Sequence, residues 1–348
     1  MTARDGFGFD GIPVQNGDLF LDGTDVRLED IDPDRGPLTR SAASWDPNAD
    51  TSFWEGHLQG IMPSQSEIDT LQEYAGYGLL HWDVPLHKAL FCIGPTASGK
   101  STTLEAIQKL YGQVSHASPH QLVNGRFGAA ELEGSWVNIR SDISGALLKD
   151  IGLFKELVAG DKVYIERKFE QGYSYRPTAK HIYSANQLPD VEIDDDAFYR
   201  RILLVSFPTT IPRGQRVQRD KLDTRLEQEL DAILRWAVEG LRRVLENGGF
   251  THDLDPQATR RRWEGRSSSI GRFKAAKLSV TGKDEDIEVK DRLYSLYSEF
   301  CDEQGLSQEG KQTLTQTLKK DPKIDDAKRT PRGASKQFRC YVGVKYEG

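Results

Sequence analysis

The chain has little of what builds covalently or metal-stapled folds. Its 348 residues include three cysteines, Cys92, Cys301 and Cys340, with no Cys-x-x-Cys pair. That spacing argues against a disulfide scaffold or zinc-thiolate site and points to a reducing cytoplasm. Seven histidines form no ligand set. His116 and His120 are helical neighbours without a His-Glu-x-x-His signature, so a surface or capping role is the expectation. No apolar run approaches the roughly 20 residues that cross a bilayer, and no apolar stretch follows Arg4 as a secretory signal requires. The composition therefore predicts a soluble cytoplasmic protein with no membrane partner. Internal repeats and low-complexity tracts are also absent.

Net positive charge is lacking too. The formal balance is −7, with 46 Lys and Arg against 53 Asp and Glu. The charge is unevenly spread, however. Acids crowd the first 55 residues, among them Asp18, Asp22, Asp25, Glu29 and Asp30. Basic residues gather at Arg260-Arg261-Arg262 and Arg266 to Lys277, then at Lys319-Lys320, Lys328-Arg329, Arg332, Lys336 and Arg339. Such asymmetry permits local attraction to phosphates despite a negative total, while a merely solvated face is the plainer reading.

What is present begins with Gly94-Pro95-Thr96-Ala97-Ser98-Gly99-Lys100-Ser101, which fits the phosphate-binding pattern G-x-x-x-x-G-K-[ST]. Apolar Ala89 to Ile93 precede it like a buried strand. Residues 102–111 follow, with Leu104, Ile107 and Leu110 at helical spacing. Strand, glycine loop and helix start would surround one anion with backbone amides and the positive end of a helix dipole. The octet and Thr102 are thus the expected ATP-binding residues. Lys100 would reach the terminal phosphates, and the Ser101 hydroxyl would hold Mg²⁺.

Around this loop the chain divides into four stretches. Residues 1–85 read as a small α-rich and extended region: polar and turn-rich to about residue 60, then a helix opened by Pro63 and a Ser64-x-x-Glu67 capping box. Residues 86–250 alternate strand-like and helix-like segments, the pattern of an α/β domain with a largely parallel sheet. It closes on a long amphipathic helix over 221–247, ended by Gly248-Gly249. Residues 251–286 read as a Ser-rich linker. In 287–348, a helix from Val289 to Phe300 ended by Gly305, a second carrying Leu314 and Leu318, and an alternating strand near the end resemble a winged-helix module, which binds DNA or docks a protein.

An ATPase also needs an acid, a γ-phosphate sensor and a cation for transition-state charge. Trp136-Val-Asn-Ile-Arg-Ser-Asp142 reads as a strand ending in one carboxylate, which could equally cap a helix. Asn186 ends a strand-like Ala179 to Ala185. Arg200 and Arg201 precede the apolar run 202–205. Between them, 163–175 has the look of a hairpin with Arg167, Lys168 and Phe169 at its centre.

In this order the set resembles superfamily III helicases, AAA+ ATPases with a P-loop core, and most closely the helicase half of phage and plasmid primase-helicases with their poxvirus relatives. Asn16-Gly-Asp-Leu-Phe-Leu, Trp45-Asp46-Pro47, Phe154-Lys155, Gly160-Asp161, Ser184-Ala185-Asn186 and Tyr199-Arg200-Arg201 carry the likeness, over about residues 8–210. It implies a homo-oligomeric ring, usually a hexamer, that moves 3′ to 5′ on single-stranded DNA and opens fork duplex ahead, in replication of a virus, plasmid or integrated element. By position, it implies Lys100 and Ser101 on phosphates and Mg²⁺, Asp142 as the second acidic motif and metal ligand, and Asn186 as sensor. It further implies Lys155 on a neighbour's nucleotide, Arg200 or Arg201 as the finger, and the hairpin residues on DNA. Relatives commonly have two adjacent acids where this chain has Ser141-Asp142, which weakens the metal assignment. Longer relatives also carry a primase domain. Primer synthesis is not expected from this chain alone; either a separate primase partner or a longer parent primase-helicase would account for that.

Two other readings compete. The octet also resembles the phosphate loop of tRNA dimethylallyltransferases, which lies near the N-terminus and leaves Asn186 and Arg200-Arg201 without a role. A DNA-binding replication or packaging protein whose nucleotide only stabilises assembly is the second.

Overall fold

The computed structural model describes residues 10–23, 25–32, 39–143, 148, 151–189, 191, 195–304, 306, 308–331 and 335–348. Two compact units emerge. The first comprises Met1–Ile143, Gly152–Asn186 and Arg201–Leu254; the second comprises Ser144–Ile151, Gln187–Arg200 and Asp255–Gly348.

The first unit opens with an antiparallel meander, β1 (Ile12–Val14), β2 (Gly17–Asp22) and β3 (Asp25–Glu29), where extended chain was expected. Arg40 holds it closed, donating to Val14 O, Gly17 O and the buried Asp18 carboxylate at 2.7–2.9 Å. Helices α1 (Ser52–Ile61) and α2 (Gln65–Tyr77) follow. The expected capping box at α2 does not form. The Ser64 hydroxyl pairs with that of Ser66 at 3.1 Å, and buried Glu67 accepts from Ser206 N at 3.2 Å. Tertiary pairing has claimed the carboxylate that local capping would have used.

The core is a mixed α/β layer built from β4 (Ala89–Ile93), α3 (Lys100–Gln108), β5 (Val114–Ser115), α4 (Pro119–Asn124), β6 (Val137–Arg140), α5 (Ile151–Ala159), the hairpin β7 (Val163–Ile165) and β8 (Tyr173–Tyr175), and β9 (Lys180–Ala185). The chain then passes through α6 (Asp196–Tyr199), in the second unit, and returns as β10 (Ile202–Ser206). Five strands form an open parallel sheet in the order β10-β4-β9-β6-β5. Every residue of β4 and β9 is buried, as expected of strands covered on both faces. From α2, Tyr74 Oη donates to Lys88 O and His181 O, at 2.7 and 3.0 Å, anchoring the starts of both strands. The long helix expected over 221–247 is two, α7 (Arg219–Gln228) and α8 (Leu230–Asn247), broken at Glu229 (φ −96°, ψ 4°); Gly248 ends α8 at φ 66°.

In the second unit the expected linker is structured. Residues 251–286 contain α9 (Pro256–Glu264), α10 (Ser269–Lys277) and β11 (Leu278–Val280). The serine run is a helix start. Ser268 Oγ accepts from Gly271 N at 3.2 Å, Ser267 Oγ donates to Glu264 O at 3.0 Å, and Ser269 pairs with Tyr297 Oη at 2.7 Å. Beyond it come β12 (Ile287–Val289), α11 (Lys290–Gln304), α12 (Lys311–Leu318), β13 (Asp325–Arg329), β14 (Phe338–Val342) and β15 (Val344–Tyr346). Val289 thus belongs to a strand, and Gly305 lies outside the described residues. Sheets β12-β14-β13 and β11-β15 close over a core in which Ile270 and Phe273 of α10 join Leu293, Tyr297, Leu314 and Leu318. Among the described residues no helix is long and apolar enough to cross a membrane.

Candidate functional site

All chemistry-bearing residues around the glycine loop lie at the carboxyl ends of the parallel strands, where open α/β sheets take ligands. The loop leaves β4 at Gly94 and enters α3 at Gly99, whose φ of 89° only glycine adopts cheaply. A Cβ on Gly94 would sit 2.1 Å from Phe207 O, so the loop is pressed against the strand beside it. The first helical bond runs from Thr103 N to Gly99 O at 2.9 Å. The amides before it have no carbonyl one turn earlier and are available to an anion at the positive end of α3.

Lys100 is the centre of the site. Lys100 is 6% exposed, and its three N–H groups are shared among four oxygens: Gly94 O at 2.7 Å, Pro95 O at 2.9 Å, Ser98 Oγ at 3.2 Å and Asn186 Oδ1 at 3.2 Å. All four acceptors are neutral, and among the described residues Lys100 makes no ion pair. Burial pulls its pKa below the ordinary lysine value, opposed first by the Cys92 sulfur and then by the Asp142 carboxylate. A buried ammonium held only by neutral oxygens is matched to an incoming anion. Asn186 is exposed at the end of β9, and its Nδ2 reaches Thr96 Oγ1 at 3.5 Å.

Asp142 follows β6 with φ 60°, left-handed for a non-glycine residue. Its amide donates to Ser184 Oγ at 3.2 Å, and Ile143 N donates to Ser184 O at 2.9 Å. Ser184 on β9 therefore pins the turn that presents the carboxylate. Lys100, Asp142 and Asn186, from three separate stretches of sequence, meet at one end of the sheet. Ser101 follows Lys100 in the first turn of α3 and is exposed. A glycine cradle, a buried cation, a hydroxyl and one carboxylate fit ATP with Mg²⁺. Among the described residues no cluster of three or more His, Cys, Asp or Glu could hold a metal unaided, so a phosphate would have to complete its shell.

Other expected residues lie elsewhere. Lys155 is half-buried on α5, next to Phe154, whose ring packs 6.5 Å from Phe91 of β4. Arg201 sits at the opposite end of the sheet. Its carbonyl accepts from Ala89 N at 2.8 Å, and the register runs from Ile202–Ala89 to Ser206–Ile93. The four strand steps between Ala89 and the loop span about 13 Å, beyond the reach of an arginine side chain. Arg200 is exposed at the end of α6.

Residues 92–201 match a family of unknown function, DUF5906. No curated protein matches the chain in sequence. Two apo structures of the C-terminal region of NrS-1 resemble it in fold. Each covers 93% of this chain and 82% of its own, with a TM-score of 0.50, at 10% and 11% identity. At such identity the likeness is one of architecture alone.

The hairpin forms as expected, with Val163 opposite Tyr175. Phe169 is 94% exposed with φ 67°, and Lys168 Nζ lies 5.0 Å from its ring centroid. Arg167 differs from its neighbours, since Glu133 neutralises it in an ion pair. Sequence reasoning missed Ser184 as a support, because its partner is defined only once β6 and β9 pair. It also missed His57, which reaches Thr103 Oγ1 at 3.5 Å from α1 and whose pKa burial pulls below the ordinary histidine value.

Proposed function

We propose that the chain is an ATP-dependent motor on single-stranded DNA, an AAA+ protein of the superfamily III type, working as a homo-oligomeric ring with six subunits. The observation that carries this reading is the convergence of Lys100, Asn186 and Asp142 on the glycine loop. The 3.2 Å contact between Lys100 Nζ and Asn186 Oδ1 joins two motifs 86 residues apart.

In this reading the loop amides and Lys100 bind the β- and γ-phosphates of ATP, leaving their neutral oxygen partners for charged ones. Bound Mg²⁺, held by Ser101 and Asp142, would neutralise charge on the phosphate oxygens. Asn186 orients the attacking water, and Ser184 holds Asp142 in position. The cation for the transition state comes from Arg200 or Arg201 of an adjoining copy, because Arg201 lies too far from its own loop. Lys155 would act on the same shared nucleotide. Lys168 and Phe169 offer a backbone cation and a stacking ring to single-stranded DNA. The single acid at Ser141-Asp142 favours a second reading, in which nucleotide stabilises assembly with little turnover.

Native mass measurement with a non-hydrolysable ATP analogue and a single-stranded oligonucleotide tests the assembly. A closed ring that appears with both ligands is expected. A particle that stays monomeric with every combination rejects the shared site.

A further inference from the structure

One helix of the second unit grips both ends of the stretch that joins Asn186 to Arg200. That stretch, 187–200, belongs to the same compact unit as α9 (Pro256–Glu264). Close behind Asn186, Leu188 N donates to Arg266 O at 2.8 Å, and Trp263 Nε1 donates to Pro189 O at 2.9 Å. Just before Arg200, the Trp263 ring meets Phe198 edge-on at 5.4 Å and Tyr199 at 6.5 Å. All three rings are buried. Gln257 of α9 also donates to Asp196 Oδ1 at 2.7 Å, in the first turn of α6. A single indole thus bridges the two ends. Edge-to-face rings hold a narrow set of geometries, so the contact sets position as well as adding stability.

The helix is itself firmly mounted. Asp255 caps its start, accepting from Gln257 N and Ala258 N at 3.0 and 2.9 Å. Arg260 pairs with Glu264 at 3.3 Å and with Asp321 at 2.7 Å, and Lys274 of α10 pairs with the same two carboxylates at 2.8 and 3.1 Å. Pulling α9 away would leave these largely buried charges unanswered. Asn186 has bonds of its own, to Lys100 Nζ and Thr96 Oγ1. Arg200 is exposed, and its backbone continues α6, N donating to Asp196 O at 3.0 Å. The direction of the arginine pair is therefore set by how α6 is seated.

We propose that Trp263 is a positioning residue for that pair: it seats α6 so that Arg200 and Arg201 are presented to an adjoining copy's nucleotide, which puts the shared site under the control of the second unit. This rests on the reading of a nucleotide shared between copies. The test uses the full chain. Trp263→Leu removes the ring edges from Phe198 and Tyr199. Its kcat should fall roughly tenfold to a hundredfold, the cost of a misplacement of about 1 Å, while KM for ATP and affinity for an ATP analogue stay at wild-type values. Mixed in equal amounts with Lys100→Ala, it should recover to about a quarter of the wild-type rate, because its intact loop then meets an arginine seated by an intact Trp263. Mixed with Arg200→Ala/Arg201→Ala it should gain nothing, since neither copy presents a working arginine. A subunit weakened merely in its fold would not choose between those partners. Trp263→Phe keeps a ring in the slot and should show the same choice of partner after a smaller fall, which covers a leucine variant that does not fold. Wild-type kcat in either variant, or a loss that Lys100→Ala does not relieve, would overturn the proposal. A mixture of Lys100→Ala with Arg200→Ala/Arg201→Ala, run alongside, separates the two ideas. If that pair complements and the Trp263 variants do not, α9 has no part in the shared site. If that pair fails, the shared site is rejected and this inference with it.

Discussion

The position of Arg201 makes a sharp prediction about mixed assemblies. Its backbone is tied to Ala89 at the amino end of β4, about 13 Å along the strand from the loop that starts after Ile93. Lys100→Ala removes the buried ammonium from one half of the site, and Arg200→Ala/Arg201→Ala removes the cation from the other. Each variant alone should lose turnover by roughly 10³-fold or more, the worth of an arginine finger. Mixed in equal amounts, the two should partly rescue one another. A working site needs an intact loop, which only the arginine variant carries, beside an intact arginine, which only the lysine variant carries. Random placement around a head-to-tail ring brings those together at about a quarter of the sites. Phosphate release from the mixture should therefore rise to about a quarter of the wild-type rate, hundreds of times above either variant. A mixture no more active than the sum of its parts would refute the argument, because a site completed within one chain cannot be rescued by another.

Other expectations follow from individual contacts. Phe169→Ala should weaken single-strand binding by about 1–3 kcal/mol in fluorescence titrations, while leaving DNA-free phosphate release unchanged. Ser184→Ala removes the hydroxyl bond to Asp142 N and keeps the carbonyl bond to Ile143 N, so kcat should fall severalfold, about 1 kcal/mol, with KM for ATP retained. Gly94→Ala would place a methyl 2.1 Å from Phe207 O, and calorimetry should show loss of ATP-analogue binding together with a lowered Tm. His81 and His181 are both pushed down to about 4, chiefly by burial. The unfolded chain takes up those protons near pH 6.5, and the folded chain does so only near 4. Stability is therefore lost as pH falls through that window, by about 2 kcal/mol per histidine at pH 5, measurable by urea unfolding. The variant His81→Phe, which keeps a ring against Trp136, should remove about half of that dependence and leave the His181 half; an unchanged slope would contradict it.

Much of the candidate site was legible because its parts are local. Gly94, Gly99, Lys100 and Ser101 lie on one turn, and the apolar run before them and the helical spacing after them are read directly from the chain. The hairpin at 163–175 was legible for the same reason, since its strands lie a few residues apart. What escaped depends on pairing between distant segments. Ser184 supports Asp142 only because β6 and β9 lie side by side. Glu67 leaves its own helix start for Ser206 N, and Arg167 finds Glu133, which no local pattern announces. The Ser267–Ser269 run looked like a linker because serine favours caps and loops alike. Only the burial of Ile270 and Phe273 shows which it is.

The measurement that bears most directly on the whole account is steady-state phosphate release from ATP with Mg²⁺, with and without single-stranded DNA, for the wild-type chain and Lys100→Ala. The account predicts turnover that rises with DNA and vanishes in the variant. Turnover indifferent to both DNA and Lys100, or none under any condition, would contradict it.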